Sequence, residues 1–348
     1  MLREEEEIEM SQLVSFEQIR QAQRRIAPAL TKTSLHRLSR ARLRMAGFPE
    51  RSDAFPDIYI KAECEQPIGS FKLRGAYNMI AQLSLEALRR GVITYSSGNH
   101  AQGVAYAARA LGSKAVIVMP DNAPEVKKAA TVALGAEIIT VGPSSSERRS
   151  RAEDLAEKHG FTIVPPYDHP DIIAGQATCG LEIFDQLPDV GLVISPVSGG
   201  GLLSGTATAL KLVAPHVQVW GAEPELAADA KESFDTRTLV EWPAEKTTRT
   251  IGDGLRTQSL GKLNFQHILK YVDGIIAVSE DEILAALRLI LATTKLVPEP
   301  SGAVALAAAL FHASQLPQAS KVAVILSGGN IDPQLLMDLK NERTITAS

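Results

Sequence analysis

Lys72 stands at the start of an apolar helix in the run Gly69-Ser70-Phe71-Lys72-Leu73-Arg74-Gly75-Ala76. A helix N-terminus attracts anions, so a cation there is misplaced unless a phosphate or an imine-forming partner shares the space. Taken alone, such a lysine is most simply a solvated side chain. Ser96-Ser97-Gly98-Asn99-His100-Ala101-Gln102-Gly103 lies between a strand and a helix, where small residues turn main-chain N–H groups towards a ligand carboxylate. An Asn-capped helix start would read the same way. Ser198-Gly199-Gly200-Gly201-Leu202 follows a strand and opens another helix; its consecutive glycines expose N–H groups for which phosphate is the natural guest. Gly199, Gly201 and Gly205 also have the spacing of a variant dinucleotide fingerprint, with Glu223 ending the next strand about twenty residues on. A nicotinamide-dependent oxidoreductase is therefore a competing reading, although the motif sits late in the chain and nothing else supplies hydride chemistry. Ser327-Gly328-Gly329-Asn330 ends the last strand, where a serine hydroxyl can enter a cleft or simply belong to a turn.

Other chemistries lack their residues. The seven histidines show no HxxxH or HExxH spacing, and the GxSxG of a serine hydrolase is absent. Cys64 and Cys179 are too few for a disulfide framework or a thiolate metal site, which fits a reducing, cytoplasmic setting.

The elements around these segments follow a regular alternation. From Gly91 the chain reads as strand VITY, a helix over Asn99–Ala110, strand KAVIVM, a helix over Pro124–Leu134, strand EIITV, a helix around Arg148–Lys158 and strand FTIV. Gly112, Gly135 and Gly160 close the helices as left-handed caps. After PPYDHP the pattern resumes with a helix over Ile172–Gln186, strand GLVISPV, a helix over Leu202–Val213, strands VQVWGAE and GIIAVS, two helices and strand KVAVILS. Short Val- and Ile-rich strands with helices between them imply parallel sheets covered on both faces, in two α/β layers with a cleft between. Ser15–Ala41 is an entry helix with arginines on its outer face, and residues 45–57 mix Gly, Pro and charges as a loop.

A chain of 348 residues suits two domains or one large α/β unit. Five glutamates and one arginine fall in residues 1–10, so the other 338 residues carry 35 basic and 35 acidic side chains. That balance gives no reason to expect nucleic acid as a partner. The acidic N-terminus is the opposite of a signal peptide, and no window approaches 18 apolar residues, so no membrane partner is expected either.

Together, GSFKLRGA, SSGNHAQG, PPYDHPDIIAGQAT, SGGGLLSG and LSGGNID, in this order, resemble the fold-type II pyridoxal-phosphate enzymes, the tryptophan-synthase-β-like group. Within it they resemble the serine/threonine dehydratase and serine racemase family. The match runs from about Ser15 to Asp332. It implies an α/β fold of two domains, each an open, mostly parallel sheet covered by helices, with pyridoxal phosphate in the cleft. The large domain would comprise 1–90 and 169–348, the small one 91–168.

Residue by residue, the resemblance implies that Lys72 forms the Schiff base with the cofactor aldehyde and, once freed by the substrate amine, removes the Cα proton. Phe71 lies beside it, and Asn99 bonds the ring hydroxyl. Ser198, Gly199, Gly200, Gly201 and Leu202 hold the phosphate, with Ser198 where most relatives have a fourth glycine. Ser327 meets the pyridine nitrogen; a hydroxyl there cannot keep that nitrogen protonated as a carboxylate would, which favours elimination over transamination. Ser96, Ser97, Gly98, Asn99 and His100 hold the substrate carboxylate. The cofactor phosphate assists the departing hydroxyl. Ser97, alanine in many bacterial catabolic threonine dehydratases, resembles the opposite-face acid/base of racemases.

Glu223, the Ala227 carbonyl and Asp229 resemble a Mg²⁺ or Ca²⁺ site of the racemase branch, though a solvated acidic strand end is the plain alternative. Glu299 matches an acid near the ring, and equally a helix-start carboxylate. The expected activity is dehydration and deamination of L-threonine and L-serine, with serine racemase or 3-hydroxyaspartate dehydratase as alternatives, in a homodimer or homotetramer. A non-catalytic cofactor-binding protein would keep the cofactor without releasing ammonia. Only 18 residues follow Asn330, too few for the regulatory domain of biosynthetic threonine dehydratases.

Overall fold

Ser15 opens the first helix by a reciprocal cap: its hydroxyl accepts from the Gln18 N–H at 3.3 Å, and Gln18 Oε1 accepts from the Ser15 N–H at 2.8 Å. The computed structural model describes residues 13–39, 41, 43, 56–96, 98–123, 125–142 and 145–345. The acidic head, Pro124, and all but the last two residues of the 45–57 loop lie outside them. The helix that Ser15 caps, α1 (Phe16–Ile26), buries Ile19, Ala22 and Ile26. β1 (Leu35–Arg37) then pairs antiparallel with β2 (Asp57–Ala62). Three residues are too short to show a period, which is why β1 was hidden inside the expected entry helix.

α2 (Lys72–Ile80) and α3 (Leu85–Arg90) lead into the first run of βα units: β3 (Val92–Tyr95), α4 (Asn99–Ala110), β4 (Ala115–Pro120), α5 (Glu125–Ala133), β5 (Glu137–Val141), α6 (Ser145–His159) and β6 (Thr162–Ile163). Their strands form a parallel sheet in the order β5-β4-β3-β6. Gly112 and Gly160 end α4 and α6 at φ of +68° and +70°, as their placement after each helix predicted. β6 is two residues long, shorter than FTIV suggested.

The second run holds α7 (Pro170–Gln186), β7 (Leu192–Pro196), α8 (Gly201–Val213), β8 (Gln218–Pro224), α9 (Asp229–Thr236), α10 (Ala244–Thr247), α11 (Lys262–Tyr271), β9 (Gly274–Val278), α12 (Glu280–Thr293), α13 (Pro300–Phe311), β10 (Lys321–Leu326) and α14 (Pro333–Ile345). With β1 and β2 its strands build a six-stranded sheet in the order β1-β2-β10-β7-β8-β9, parallel throughout except for β1. Alternate residues serve opposite faces. Leu192, Ile194, Val322 and Val324 pack under α12 and α13, while Val193, Val219, Ala323 and Ile325 pack under α7 and α8. Both faces are covered, as continuous apolar strands require. Among the described residues no helix is long and apolar enough to cross a membrane.

Candidate active site

Lys72 is the first residue of α2, and the turn before it is stitched to the end of β10. The Phe71 N–H donates to the Ser327 carbonyl at 3.0 Å, and Ser70 bridges Gly328. Residues 255 positions apart are thereby fixed side by side: Lys72 beside Ser327, which is buried. The partly buried Lys72 ammonium donates to the Pro166 carbonyl at 2.8 Å and lies 5.2 Å from the centre of the Phe71 ring. Burial pushes its pKa down to about 8, against the opposing pull of Glu299. An amine so placed gives up its proton more readily than an ordinary lysine and can serve as nucleophile or base.

Asn99 opens α4 and joins the same cleft from the four-stranded sheet. Its Nδ2 donates to Glu299 Oε1 at 2.7 Å and its Oδ1 accepts from Asn330 Nδ2 at 2.7 Å, while Asn330 Nδ2 also donates to the Ile68 carbonyl at 2.9 Å. Burial, then the charge of Asp253, raise Glu299 to about 7. The Ser96 hydroxyl accepts from the Gly98 N–H at 3.3 Å, and a Cβ at Gly98 would meet nothing within 4 Å, so this turn borders open space. Ser97 lies outside the described residues. His100 turns inward: it is buried, its Nε2 donates to the Val164 carbonyl at 2.9 Å, and burial followed by the Lys72 charge lowers its pKa to about 3. Neutral at working pH, it can present no positive charge to a carboxylate.

The glycine turn at the head of α8 has the shape of an anion cradle. Gly200 is left-handed at φ +93°, and the first helical bond runs from the Ser204 N–H to the Gly200 carbonyl at 2.8 Å. The N–H groups of Gly201, Leu202 and Leu203 therefore have no partner within their helix. Ser198 is also left-handed, at φ +57°, a region that costs a non-glycine residue on the order of 1 kcal/mol. That conformation accounts for a glycine being the easier choice at this position. The Ser198 hydroxyl pairs with the Thr257 hydroxyl at 3.2 Å.

Residues 164–168 carry functional contacts that sequence reasoning missed. Val164 holds His100 and Pro166 holds Lys72; a Cβ on Gly199 would stand 2.5 Å from atoms of the Tyr167 ring. Asp168 accepts from the N–H groups of Lys262 at 3.1 Å and Leu263 at 3.0 Å, capping α11, whose Asn264 donates to the Gly199 carbonyl at 2.8 Å. PPYDHP was visible as a break in the alternation. Its contacts to His100 and Lys72 run through main-chain carbonyls, which residue types do not reveal.

Glu223 and Asp229 are both buried, and Glu223 Oε2 and Asp229 Oδ2 have no hydrogen-bond partner. Glu223 Oε1 accepts from the Lys231 N–H at 2.6 Å, and Ala227 lies in the buried turn between the two acids. Burial leads in raising both acids, Asp229 to about 7, and the charge of Asp229 raises Glu223 further. Among the described residues no group of three or more His, Cys, Asp or Glu side chains is gathered as a metal centre.

Residues 26–328 match the pyridoxal-phosphate dependent enzyme family. The chain belongs to that family. It is 42% identical over 275 residues to an L-threo-3-hydroxyaspartate ammonia-lyase of Saccharomyces cerevisiae, covering 79% of this chain and 83% of the yeast protein. It is 41% identical over 330 residues to an L-threonine ammonia-lyase of Thermotoga maritima, covering 95% of this chain and 79% of that one. The structure of maize serine racemase superposes with a TM-score of 0.87 at 36% identity, over 96% of this chain and 99% of the maize chain. The protein is thus a fold-type II pyridoxal-phosphate enzyme of the ammonia-lyase and racemase group.

The dinucleotide reading of the glycine turn is overturned. Glu223 is buried, with one oxygen on the Lys231 N–H, and cannot meet a ribose; a Cβ at Gly205 would come within 2.6 Å of the main chain of α7, so that glycine serves helix packing. The family's cofactor fits what is present. Lys72 offers an amine with a lowered pKa, and the head of α8 offers free N–H groups where Gly199 and Gly200 leave no room for a side chain.

Proposed function

We propose that this enzyme is an L-threonine/L-serine ammonia-lyase, converting a β-hydroxy amino acid to a 2-oxo acid and ammonia. The observation that carries the reading is the Lys72 amine, held on the Pro166 carbonyl beside Ser327 with its pKa pushed down to about 8. Pyridoxal phosphate, when bound, supplies an electron sink for the pair left at Cα. Lys72 would hold the cofactor and take the Cα proton, a role worth about 10² to 10⁴ in rate. The turn at Ser96 and Gly98, with the first N–H groups of α4, would receive the substrate carboxylate. Asn99, braced by Glu299 and Asn330, would face the ring hydroxyl, and Ser327 the ring nitrogen. The division into a large domain of 1–90 and 169–348 and a small one of 91–168 belongs to the same reading, the cleft lying where α2, α4 and the end of β10 meet.

The named activities of the relatives favour a second reading, 3-hydroxyaspartate ammonia-lyase or serine racemase. An ammonia assay over L-threonine, L-serine and L-threo-3-hydroxyaspartate, with chiral analysis of the serine, separates them. Threonine or serine should give the highest kcat/KM and Lys72→Ala should release no ammonia. Preference for hydroxyaspartate, or D-serine formation that Ser97→Ala abolishes, would shift the assignment.

A divalent cation also fits this reading. The unpartnered Glu223 Oε2 and Asp229 Oδ2 supply hard, buried oxygens of the type that Mg²⁺ and Ca²⁺ take, with the Ala227 carbonyl as a third donor. Such an ion would brace the turn between β8 and α9.

A further inference from the structure

Beneath Lys72 lies a buried network of ions that the chemistry above does not use. Arg74 Nε and one terminal nitrogen grip Glu63 at 2.8 and 2.7 Å, the two terminal nitrogens grip Glu182 at 2.8 Å each, and the last N–H meets the Thr178 hydroxyl at 3.0 Å. All five guanidinium hydrogens are spent. Lys61 closes the set on Glu182 at 2.7 Å, Gln186 at 3.0 Å and the Thr33 carbonyl at 2.9 Å. Arg74, Lys61 and Glu63 are wholly buried. Burial works against the charge of Glu63, yet Arg74 and Lys61 bring its pKa down to about 2.

Burying two cations and two carboxylates costs several kcal/mol per ion, and apolar side chains of similar volume serve packing as well or better. What the ions add is direction. α2 meets α7 at Gly75 and Gly175, where a Cβ on Gly175 would fall 2.6 Å from the Arg74 carbonyl and from the Gly75 Cα. On this face the two bare backbones interlock by no side chain, and apart from the Asn78 amide on the Asp171 carbonyl it is the Arg74 forks that tie α2 to α7 by direction-specific bonds. Lys72 and Arg74 are two residues apart, roughly 200° around the helix, so the side chain that enters the cleft is opposed by the one that is clamped. A rotation of about 10° would move the Lys72 amine by roughly 1 Å, enough to cost on the order of 10²-fold in rate.

We propose that Arg74 is a positioning residue for Lys72, its two forks on Glu63 and Glu182 setting the rotation of α2. The proposal rests on Lys72 being the residue that joins the cofactor. Only a guanidinium can grip two carboxylates bidentately at once, so a lysine at this position keeps the charge and loses the geometry.

The test is made on the holoenzyme, with wild type, Arg74→Lys, Glu182→Gln and, as a control for lost stability, Leu287→Ala in the buried face of α12, within the core under the six-stranded sheet. The expected result for Arg74→Lys is retained cofactor, kcat lower by about 10²-fold with KM within about threefold, and a shifted pH midpoint of the visible absorbance of the Lys72-bound cofactor. Leu287→Ala should lower the melting temperature and leave kcat and the absorbance midpoint alone. Unchanged kcat and midpoint in Arg74→Lys overturn the proposal, as does an equal loss of kcat in Leu287→Ala. If Arg74→Lys is recovered only unfolded, Glu182→Gln, which keeps the Glu63 fork, is held to the same outcomes. Failure of borohydride to fix a pyridoxyl group on wild-type Lys72 overturns both this proposal and the functional reading; its success with an unaltered Arg74→Lys overturns the proposal alone.

Discussion

Asn99 and Glu299, 200 positions apart, share a hydrogen bond of 2.7 Å that ties the head of α4, after β3, to the head of α13, the helix that leads into β10. The carboxyl that accepts it is buried and raised to about 7, with desolvation leading and Asp253 adding to it. A Cβ at Gly328 would collide with Glu299 Oε1, so the backbone of the Ser327 turn crowds this acid as well.

That proton has a consequence for stability. The folded cofactor-free protein holds it up to about pH 7, whereas the unfolded chain releases it near the ordinary value of 4.5. The stabilisation it brings is full below that value and is lost as pH rises through about 7. Unfolding free energies from denaturant titration at pH 5 and pH 8 should therefore differ less in Glu299→Gln than in wild type, by about 2 kcal/mol. The buried acids Glu223 and Asp229 are common to both proteins and drop out of the comparison. Equal pH dependence in the two would show that Glu299 is ionised throughout.

The packing of Gly199 against Tyr167 separates a cradle residue from a merely small one. Gly199→Ala puts a methyl 2.5 Å from atoms of the Tyr167 ring, so the turn or the ring must move, at about 1 to 3 kcal/mol. Affinity for pyridoxal phosphate, measured by fluorescence titration, should fall about tenfold or more. Tyr167→Ala should recover part of that loss in the double variant, a coupling of about 1 kcal/mol. Gly205→Ala meets the main chain of α7 instead, so its cost should appear in the melting temperature, and Tyr167→Ala should not relieve it.

Much of this arrangement was legible in the residues. Each βα unit of the first run announced itself by an apolar strand, a helical period and a glycine stop, and Lys72 drew notice because a cation is misplaced at a helix start. Contacts between distant segments were not legible: the Pro166 carbonyl on Lys72 and the Asp168 carboxylate capping α11 depend on where the chain passes. His100 was expected to be a substrate ligand because the resemblance assigns the substrate carboxylate to the whole segment from Ser96 to His100. Standing one residue past Asn99 turns it about 100° round the helix into the interior, onto the Val164 carbonyl. Arg74 was quoted within its motif without a role, because the carboxylates that hold it come from residues 63 and 182.

The acids at the β8–α9 turn give the last prediction. Glu223 Oε2 and Asp229 Oδ2 are buried without a partner, an arrangement that is costly unless a proton or a cation is shared between them. A shared proton would neutralise one carboxylate and leave the other; the proposed divalent ion would satisfy both, with the Ala227 carbonyl as a third donor. Adding Mg²⁺ or Ca²⁺ at about 100 times its dissociation constant should then stabilise the protein by about 2.7 kcal/mol, raising the melting temperature by several degrees. EDTA should reverse the rise, and Glu223→Gln should abolish it while also removing the charge repulsion in the metal-free state. The variant should accordingly melt no lower than the chelated wild type. A wild-type melting curve indifferent to both ions and to EDTA would mean that the two acids share a proton and hold no metal.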